Sequence, residues 1–264
     1  MRVQSPSSIK TYKHCPRKYF YQYIAKLPTV PNIHQIRGNI VHAVLEKFFQ
    51  ANMGGIDDGN FPQRLHLIMQ DLLVKEWKGD RERLDLLGMS EDQYVRYFED
   101  SMSMLSNWLH QFCEKIRKSP LSFPRAWAAL VPREQEQHYQ SQKFYVRGFI
   151  DAVEEIDGQI RVMDYKTDKD PDIEKHRLQL AIYALLYKEK HGTLPDKSGI
   201  YFLKGGEQHI TVDEGLVEFA KREIAMVHEK TQSLDKKTYP KNITPLCKWS
   251  TGQCDFYDTC FNED

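Results

Sequence analysis

Residues 148–166 read GFIDAVEEIDGQIRVMDYK, and this stretch decides the fold. Two segments rich in Val, Ile and aromatic residues, 143–155 and 159–166, flank the dipeptide Asp157-Gly158. Such a dipeptide between two strand-like runs is typical of a β-hairpin with a two-residue turn. The sequence therefore predicts two antiparallel strands that are directly connected.

The hairpin register brings acidic side chains together. If Ile156 pairs with Gln159, Asp151 lies opposite Asp164, and the two Cβ atoms are about 4.5–5.5 Å apart. Because strand side chains alternate between faces, Lys166 shares a face with Asp164. The sequence thus predicts two carboxylates and one lysine in a small area.

Two opposed carboxylates destabilise a sheet unless something compensates for their charge. A divalent cation would do so, since Mg²⁺ prefers oxygen ligands and keeps several waters. A nearby lysine could then polarise or deprotonate a metal-bound water, as phosphodiester hydrolysis requires. The alternative interpretation is a surface hairpin with an ordinary salt bridge, and the joint placement of all three residues favours the metal site.

The rest of the chain predicts a helical first half and a mixed α/β second half. We expect helices over 5–24, 38–51, 63–78, 91–118, 172–190 and 214–233. We expect further strands over 127–139, 198–204 and 207–212, a loop over Lys26–Ile36, and an irregular tail from Tyr239. The fold class is therefore α/β.

Several motifs resemble the PD-(D/E)XK nuclease superfamily, in particular its RecB-like branch of exonuclease V-type and CRISPR-associated iron–sulfur nucleases. They are Gly148-Phe149-Ile150-Asp151, Asp164-Tyr165-Lys166, Gln179 with Tyr183, and Gly38-Asn39-Ile40-Val41-His42. The resemblance implies a restriction-endonuclease-like mixed sheet core with a helical N-terminal half.

The resemblance also implies roles for individual residues. His42, Asp151, Asp164 and the carbonyl of Tyr165 would bind Mg²⁺ or Mn²⁺. Lys166 would be the catalytic lysine, and Gln179 would steady the water or the lysine. Separately, Glu134 on the preceding strand is a candidate for an additional acid.

Five cysteines are present, and four of them lie near the two ends of the chain: Cys15, Cys247, Cys254 and Cys260. Four thiolates suit either a [4Fe–4S] cluster or a structural zinc ion. The resemblance favours the cluster, as a staple that joins the termini, although the gap of six residues between Cys247 and Cys254 is longer than the family's two. Cys113 lies beside an apolar helical stripe, where we expect it to pack.

The resemblance covers residues 5–50 and 145–260, and we expect one nuclease domain over residues 1–264. Its expected parts are an N-terminal helical arm (1–50), a helical insertion (60–120), the PD-(D/E)XK core (125–235) and a cysteine-rich tail (239–264). The insertion has no assigned role beyond a possible channel wall.

The first fifty residues hold eight Lys or Arg against one acid, Glu46, although the whole chain has a formal net charge of zero. These basic positions alternate with tyrosines, a pattern that suits nucleic-acid binding but is more often a solvated helix with an aromatic core face. No apolar run is long enough to span a membrane, and the N-terminus lacks a signal-peptide pattern. We expect an intracellular, cytoplasmic protein.

These observations predict a metal-dependent DNA exonuclease that acts on free ends and prefers single strands, with no membrane partner and no identifiable protein partner. Recombination, repair, phage DNA metabolism and the trimming of CRISPR prespacers are alternative roles. A non-catalytic nucleic-acid-binding module is a second class of function, disfavoured because every metal and lysine position is filled. A dinuclear hydrolase of small molecules would need additional His and Asp ligands.

Overall fold

The computed structural model describes residues 2–167, 171–250 and 252–262. Its helices are α1 (Pro6–His14), α2 (Pro16–Tyr19), α3 (Ile33–Phe49), α4 (Phe61–Gly79), α5 (Arg81–Asp85), α6 (Glu91–Lys118), α7 (Phe123–Leu130), α8 (Arg177–His191), α9 (Glu214–Lys230) and α10 (Tyr257–Asn262). Its strands are β1 (Glu134–Ser141), β2 (Val146–Ile156), β3 (Gln159–Lys166), β4 (Lys197–Phe202), β5 (Gly206–Thr211), β6 (Lys248–Trp249) and β7 (Gly252–Gln253). Short 3₁₀ turns cover Ile173–His176 and Lys236–Thr238, and a π-helical turn covers Phe20–Ile24.

Strands β1 to β5 form one mixed sheet in sequence order. Every neighbouring pair is antiparallel except β3 and β4, which are parallel and are connected through α8. The predicted hairpin register is confirmed: Ile156 pairs with Gln159. The turn residues Asp157 and Gly158 both have positive φ, 54° and 75°, as a turn of this kind requires.

Helices cover both faces of the sheet. Helices α3, α4, α6 and α7 pack on one face, where Phe48 and Trp108 belong to a large aromatic core with Tyr165. Helices α8 and α9 cover the other face, where Ile150 and Val162 meet the apolar side of α8. The sheet is thus the middle layer between two layers of helices.

The predicted helix over 5–24 is interrupted at Cys15, whose extended backbone (φ −157°, ψ 108°) ends α1 and caps α2. Pro16 is responsible, because a proline disfavours helical conformation in the residue before it. The predicted loop over Lys26–Ile36 is also shorter than expected, since α3 begins at Ile33 with Asn32 as its N-cap.

The prediction of a strand over 127–139 is wrong in its first half. Helix α7 occupies Phe123–Leu130, with a proline in its first turn, and β1 begins only at Glu134. Trp127 packs on Phe48 and Phe112 of the aromatic core. The apolar residues that suggested a strand at the start of this segment therefore belong to a buried helix. The tail is likewise more regular than expected, with the β6–β7 hairpin and α10.

None of the described helices has the length and apolar character needed to cross a membrane.

Candidate active site

The active-site candidates lie where β2 and β3 separate. The paired residues of these strands run as far as Ala152 and Met163. Beyond that point, the backbone amide of Tyr165 donates a 2.7 Å hydrogen bond to Oδ2 of Asp151. This main-chain hydrogen bond therefore fixes the Asp151 carboxylate at the point where the two strands separate. Only 6% of Asp151 is exposed to solvent.

His42 reaches this point from α3. Its Nε2 lies 2.9 Å from the carbonyl oxygen of Tyr165, and its Nδ1 lies 3.3 Å from Oδ2 of Asp151. Ile40, Val41 and the rest of the buried face anchor α3 against the sheet, so the imidazole position is fixed by packing. The structure thus brings together His42, Asp151 and the Tyr165 carbonyl, three members of the expected metal-binding set.

Glu136 completes this group, and sequence reasoning missed it. Its Oε1 lies 3.4 Å from His42 Nδ1, and the β1–β2 register places it opposite Asp151. Among the described residues, His42, Glu136 and Asp151 form the one set of three or more potential ligands whose atoms all lie within 4.8 Å of one another. Glu136 also has a φ of 45°, a strained conformation of the kind that concentrates at functional sites.

No spacing signal in the sequence identified Glu136, which lies two residues after the candidate acid Glu134. Glu134 itself points elsewhere. Its carboxylate accepts hydrogen bonds from Tyr139 and Lys190, each 2.8 Å long, and does not lie among the site acids. The proposal of Glu134 as an additional acid is therefore corrected to Glu136.

Asp164 lies deeper, with 2% exposure, and its two oxygens have different partners. Oδ1 accepts hydrogen bonds from Nε2 of Gln179 (2.8 Å) and from the hydroxyl of Tyr183 (3.2 Å). Oδ2 lies 2.5 Å from Nζ of Lys166. Gln179 and Tyr183 thus orient the Asp164 carboxylate, and the expected role of Gln179 in steadying the water or the lysine stays a prediction.

Gly148 explains how Tyr183 reaches Asp164. A Cβ atom at Gly148 would lie 2.9 Å from Cε1 of Tyr183, closer than side chains tolerate. The glycine therefore lets α8 approach β2 closely enough for the buried tyrosine hydroxyl to bond the acid. The Gly-Phe-Ile-Asp motif thus contributes to the site through its glycine as well as its aspartate.

The close carboxylates of this group change the pKa values of its members. Burial alone would lower the pKa of His42, but the Asp151 and Glu136 carboxylates raise that pKa well above its usual range. Burial and the nearby Asp164 raise the pKa of Asp151. Protons therefore compensate for the close carboxylates in the protein alone, and a divalent cation could replace them. Two carboxylates, a carbonyl and an imidazole suit Mg²⁺ or Mn²⁺.

The four terminal cysteines converge at one place. Cys15, Cys247, Cys254 and Cys260 all line one cavity beside α2. Strands β6 and β7 fill the six-residue gap as a hairpin, so the Cys254 amide donates a 2.9 Å hydrogen bond to the Cys247 carbonyl. The long gap therefore keeps Cys247 and Cys254 adjacent; Thr251, inside it, lies outside the described residues.

Cys113 lies apart from these four. It is on α6 and is buried in the aromatic core, as expected. Burial raises the pKa of its thiol to about 11, so it stays protonated near neutral pH.

The tyrosines of the N-terminal arm face inward. Tyr19 and Tyr21 are buried, and the Tyr19 ring stacks on Tyr239 of the tail at 6.2 Å. Arg17 donates a 2.8 Å hydrogen bond to the Tyr239 carbonyl, and Lys13 pairs with Glu223. The aromatic residues of the arm therefore join the two ends of the chain, in agreement with the core-face interpretation.

With the geometry described, the relatives can be compared. The model of the PD-(D/E)XK nuclease superfamily matches residues 4–261. The chain belongs to the PD-(D/E)XK nuclease superfamily. The resemblance inferred from the sequence motifs is thereby confirmed, and the mixed sheet with its flanking helices is that of this nuclease family.

Individual relatives agree with the PD-(D/E)XK assignment. The Gene 69 protein of Mycobacterium phage L5 is 23% identical over 297 aligned residues, which cover 98% of this chain and 95% of the phage protein. The CRISPR-associated exonuclease Cas4 of Francisella tularensis subsp. novicida (strain U112) is 27% identical over 175 residues, covering 63% of this chain and 86% of that protein. A crystal structure of a candidate exonuclease from Eubacterium rectale has a TM-score of 0.53 at 12% identity, with 100% of this chain and 88% of that chain covered.

Proposed function

We propose that the protein is a metal-dependent DNA exonuclease that hydrolyses phosphodiester bonds from DNA ends. The observation that carries the proposal is the meeting of His42, Glu136, Asp151 and the Tyr165 carbonyl beside the Asp164–Lys166 pair. His42, Asp151, Asp164 and Tyr165 would hold Mg²⁺ or Mn²⁺, with Glu136 as an additional ligand. A bound cation supplies a polarised phosphoryl oxygen and a water of lowered pKa.

The protein's own residues then divide the remaining work. Lys166, held by Asp164 at 2.5 Å, presents an ammonium group next to the carboxylates, where it can orient the attacking water and stabilise phosphate charge. Gln179 and Tyr183 keep Asp164 in place through its other oxygen. Asp151 is oriented by the Tyr165 amide, so both acids are positioned before substrate arrives.

The direct test uses end-labelled linear DNA and closed circular DNA, each single- and double-stranded. We expect Mg²⁺ or Mn²⁺ to support the digestion of linear DNA, single strands fastest, while circles persist. Ca²⁺ should permit binding with little turnover, because it is larger and positions its water loosely. Full activity after exhaustive chelation with EDTA would contradict the metal assignment, and equal digestion of circles would contradict the exonuclease assignment.

We also propose that Cys15, Cys247, Cys254 and Cys260 hold a [4Fe–4S] cluster that joins the arm to the tail. Backbone amides of Lys18 and Thr244 point at the sulfurs of Cys15 and Cys247, each at 3.5 Å, as in sites where thiolate charge needs stabilisation. The arm and the tail already meet through Arg17 and Tyr239, so the cluster would reinforce an existing contact.

Four thiolates suit either a [4Fe–4S] cluster or a structural zinc ion. The resemblance to iron–sulfur nucleases favours the cluster.

Anaerobically purified protein should be brown and contain about four irons per chain. Serine at Cys15, Cys247, Cys254 or Cys260 should remove the colour and lower the melting temperature, while Cys113→Ser keeps both. Zinc in place of iron would reject the cluster but keep the staple. Retained colour and stability in Cys247→Ser would remove that residue from the ligand set.

The biological role proposed first is DNA metabolism in recombination, repair or a phage, because the relative that spans nearly the whole chain is a phage protein. Trimming of CRISPR prespacers is the second candidate, supported by the similarity to a CRISPR-associated exonuclease over 63% of the chain. Either role places the protein in the cytoplasm with DNA.

A further inference from the structure

Phe149 is exposed in an unusual place. It lies in the middle of β2, two residues before Asp151, and 58% of it is accessible to solvent. Its neighbours Gly148 and Ile150 are buried against α8. Because side chains alternate along a strand, Phe149 lies on the opposite face of the sheet.

That face is only partly covered. The alternation shifts by one residue at Asp151, where the β1–β2 pairing skips Glu136 and Asp151, because Ile150 belongs to the core against α8 and Ala152 to the aromatic core. Helices α3 and α6 therefore cover this face over Ala152, Met163 and Tyr165. Phe149 lies on the other side of the His42 group, where the sheet surface is open to solvent. The metal-binding group therefore marks the boundary between the covered and the open part of this face.

The open part has the composition of a nucleic-acid surface. The register pairs His138 with Phe149 and Gln140 with Arg147, and all four residues are exposed. The rings of His138 and Phe149 lie 5.0 Å apart at 50°. No carboxylate belongs to these two pairs, whereas an arginine does, so the surface suits a phosphate backbone carrying bases that can stack.

Its distance from the carboxylates fits a DNA strand. In the β1–β2 register, the pair His138–Phe149 lies two residues from Glu136 and Asp151, which is about 7 Å along the strands. Stacked nucleotides rise about 3.4 Å each, so a base on Phe149 would be one or two nucleotides from the bond to be cut.

We propose that Phe149 and His138 form a stacking platform for a base of an unpaired DNA strand, with Arg147 contacting the strand's backbone. The inference rests on the proposed nuclease function and names its substrate class as unpaired ends. A base inside a duplex has its faces covered by its neighbours, so it cannot use an exposed ring next to the active site.

The main test measures cleavage of a single-stranded oligonucleotide by Phe149→Ala. We expect KM to rise about tenfold, since stacking on one aromatic ring contributes roughly that much affinity, with kcat changed less than about twofold. Phe149→Trp should restore KM. Tyr145→Ala is the matched control, because Tyr145 is also exposed (43%) but its ring contacts His228 on α9.

A scan with single abasic nucleotides locates the stacked base. In the wild type, one position near the scissile bond should raise KM about as much as Phe149→Ala does. In Phe149→Ala, the abasic nucleotide at that position should add no further loss, because both changes remove the same contact. Independent, additive losses at every position would overturn the platform.

The outcomes separate the two proposals. If the wild type cleaves no DNA, the proposed function fails. If the wild type cleaves DNA and Phe149→Ala keeps its KM for single strands, the platform alone is wrong. An equal loss on blunt duplex ends would also overturn it, since those ends present no unstacked base.

Discussion

Two groups of buried acids lie on the same sheet, and their surroundings differ. Among the described residues of the active site, Glu136, Asp151 and Asp164 lie beside one lysine, Lys166, and the imidazole of His42. In this described set the carboxylates outnumber the permanent positive charges. The nearby carboxylates raise the pKa of His42, and burial together with Asp164 raises the pKa of Asp151.

The second group, which we call the far group, lies on β2, β3 and β5 beside α6. There Glu207 lies 2.7 Å from Lys115 and 3.6 Å from His209, and Glu154 pairs across the strands with Arg161. Burial opposes ionisation of Glu207, but His209 and Lys115 lower its pKa to about 2. Glu154, which is more deeply buried, has a raised pKa.

The difference is one of charge balance. In the described chain, the far group has two acids beside three basic side chains, Lys115, Arg161 and His209, so its carboxylates do not outnumber its basic groups. The active-site group has excess negative charge and strained backbone at Glu136, features that are costly in a structure unless a ligand compensates for them. Changes in the first group should therefore affect chemistry, and changes in the second should affect stability.

The largest expected effect is the loss of cleavage in Lys166→Ala and Asp164→Ala. Each should reduce the rate at least about 10³-fold, because each removes a group that acts on the reacting phosphate or on the metal. Asp164→Ala should stay folded, since removing an acid from an overcharged group relieves repulsion. Lys166→Ala should melt at a lower temperature than the wild type, because it leaves the buried Asp164 carboxylate without its lysine. Single-turnover digestion and thermal melting measure the two properties.

Lys190→Ala is the matched control, because Lys190 forms an exposed ion pair with Glu134 outside the site. It should cleave at the wild-type rate. Wild-type rates in Lys166→Ala would remove that residue from the mechanism.

The hairpin part of the site could be predicted because it depends on local spacing. Asp157-Gly158 fixes the turn, and the turn fixes the register as far as the pair Ala152–Met163, beside which Asp151 and Asp164 lie. His42 came only from family resemblance, since no spacing rule connects α3 with β3.

Glu136 could not be predicted, because the β1–β2 connection has no comparable turn signal and its register was unknown. The prediction of a strand over 127–139 was wrong for a related reason. Apolar residues such as Trp127 and Leu130 occur both in strands and in buried helices. The contact between Gly148 and Tyr183 could not be predicted from the sequence either, since it depends on how closely α8 packs against β2.

A smaller effect is expected on the Mg²⁺ affinity of variants of Glu136, compared with variants of Glu134 on the same strand. Glu136→Gln should weaken the apparent affinity for Mg²⁺ by about 10–100-fold, the cost of losing a group that binds or orients at a metal site. Glu134→Gln, two residues away, should leave it unchanged, because Glu134 bonds Tyr139 and Lys190 instead. Calorimetric titration with Mg²⁺ gives both affinities without relying on activity, and equal affinities in the two variants would exclude Glu136 as a ligand.

The raised pKa of His42 predicts how metal affinity depends on pH. The protonated imidazole stabilises the metal-free fold below about pH 6.5, and this contribution is lost as the pH rises through the raised pKa of the folded protein. Cation binding must displace that proton, so the apparent Mg²⁺ affinity should increase by up to about tenfold per pH unit until the pH reaches the raised pKa of His42, and then level off.

The raised pKa of Asp151 acts in the same direction. Titrations in buffers of different ionisation enthalpy should therefore show proton release on Mg²⁺ binding. His42→Asn should reduce the release, and an unchanged release would show that His42 is not the group displaced.

The smallest expected effect tests the far group, where Lys115 and Glu207 should matter for stability alone. The pKa of Glu207 is lowered to about 2, so its ion pair stabilises the fold above about pH 4.5 and is lost as the pH falls towards 2. Lys115 is about a third exposed, so solvent screening reduces the contribution to about 1–2 kcal/mol. Lys115→Met and Glu207→Gln should each lose about this much in urea unfolding at pH 7, and the double variant should lose less than the two combined. At pH 2.5 the difference between Glu207→Gln and the wild type should shrink, because protonation removes part of the same interaction.

Cleavage by the folded variants should equal that of the wild type, and a rate loss without a stability loss would mean that this group also serves the chemistry.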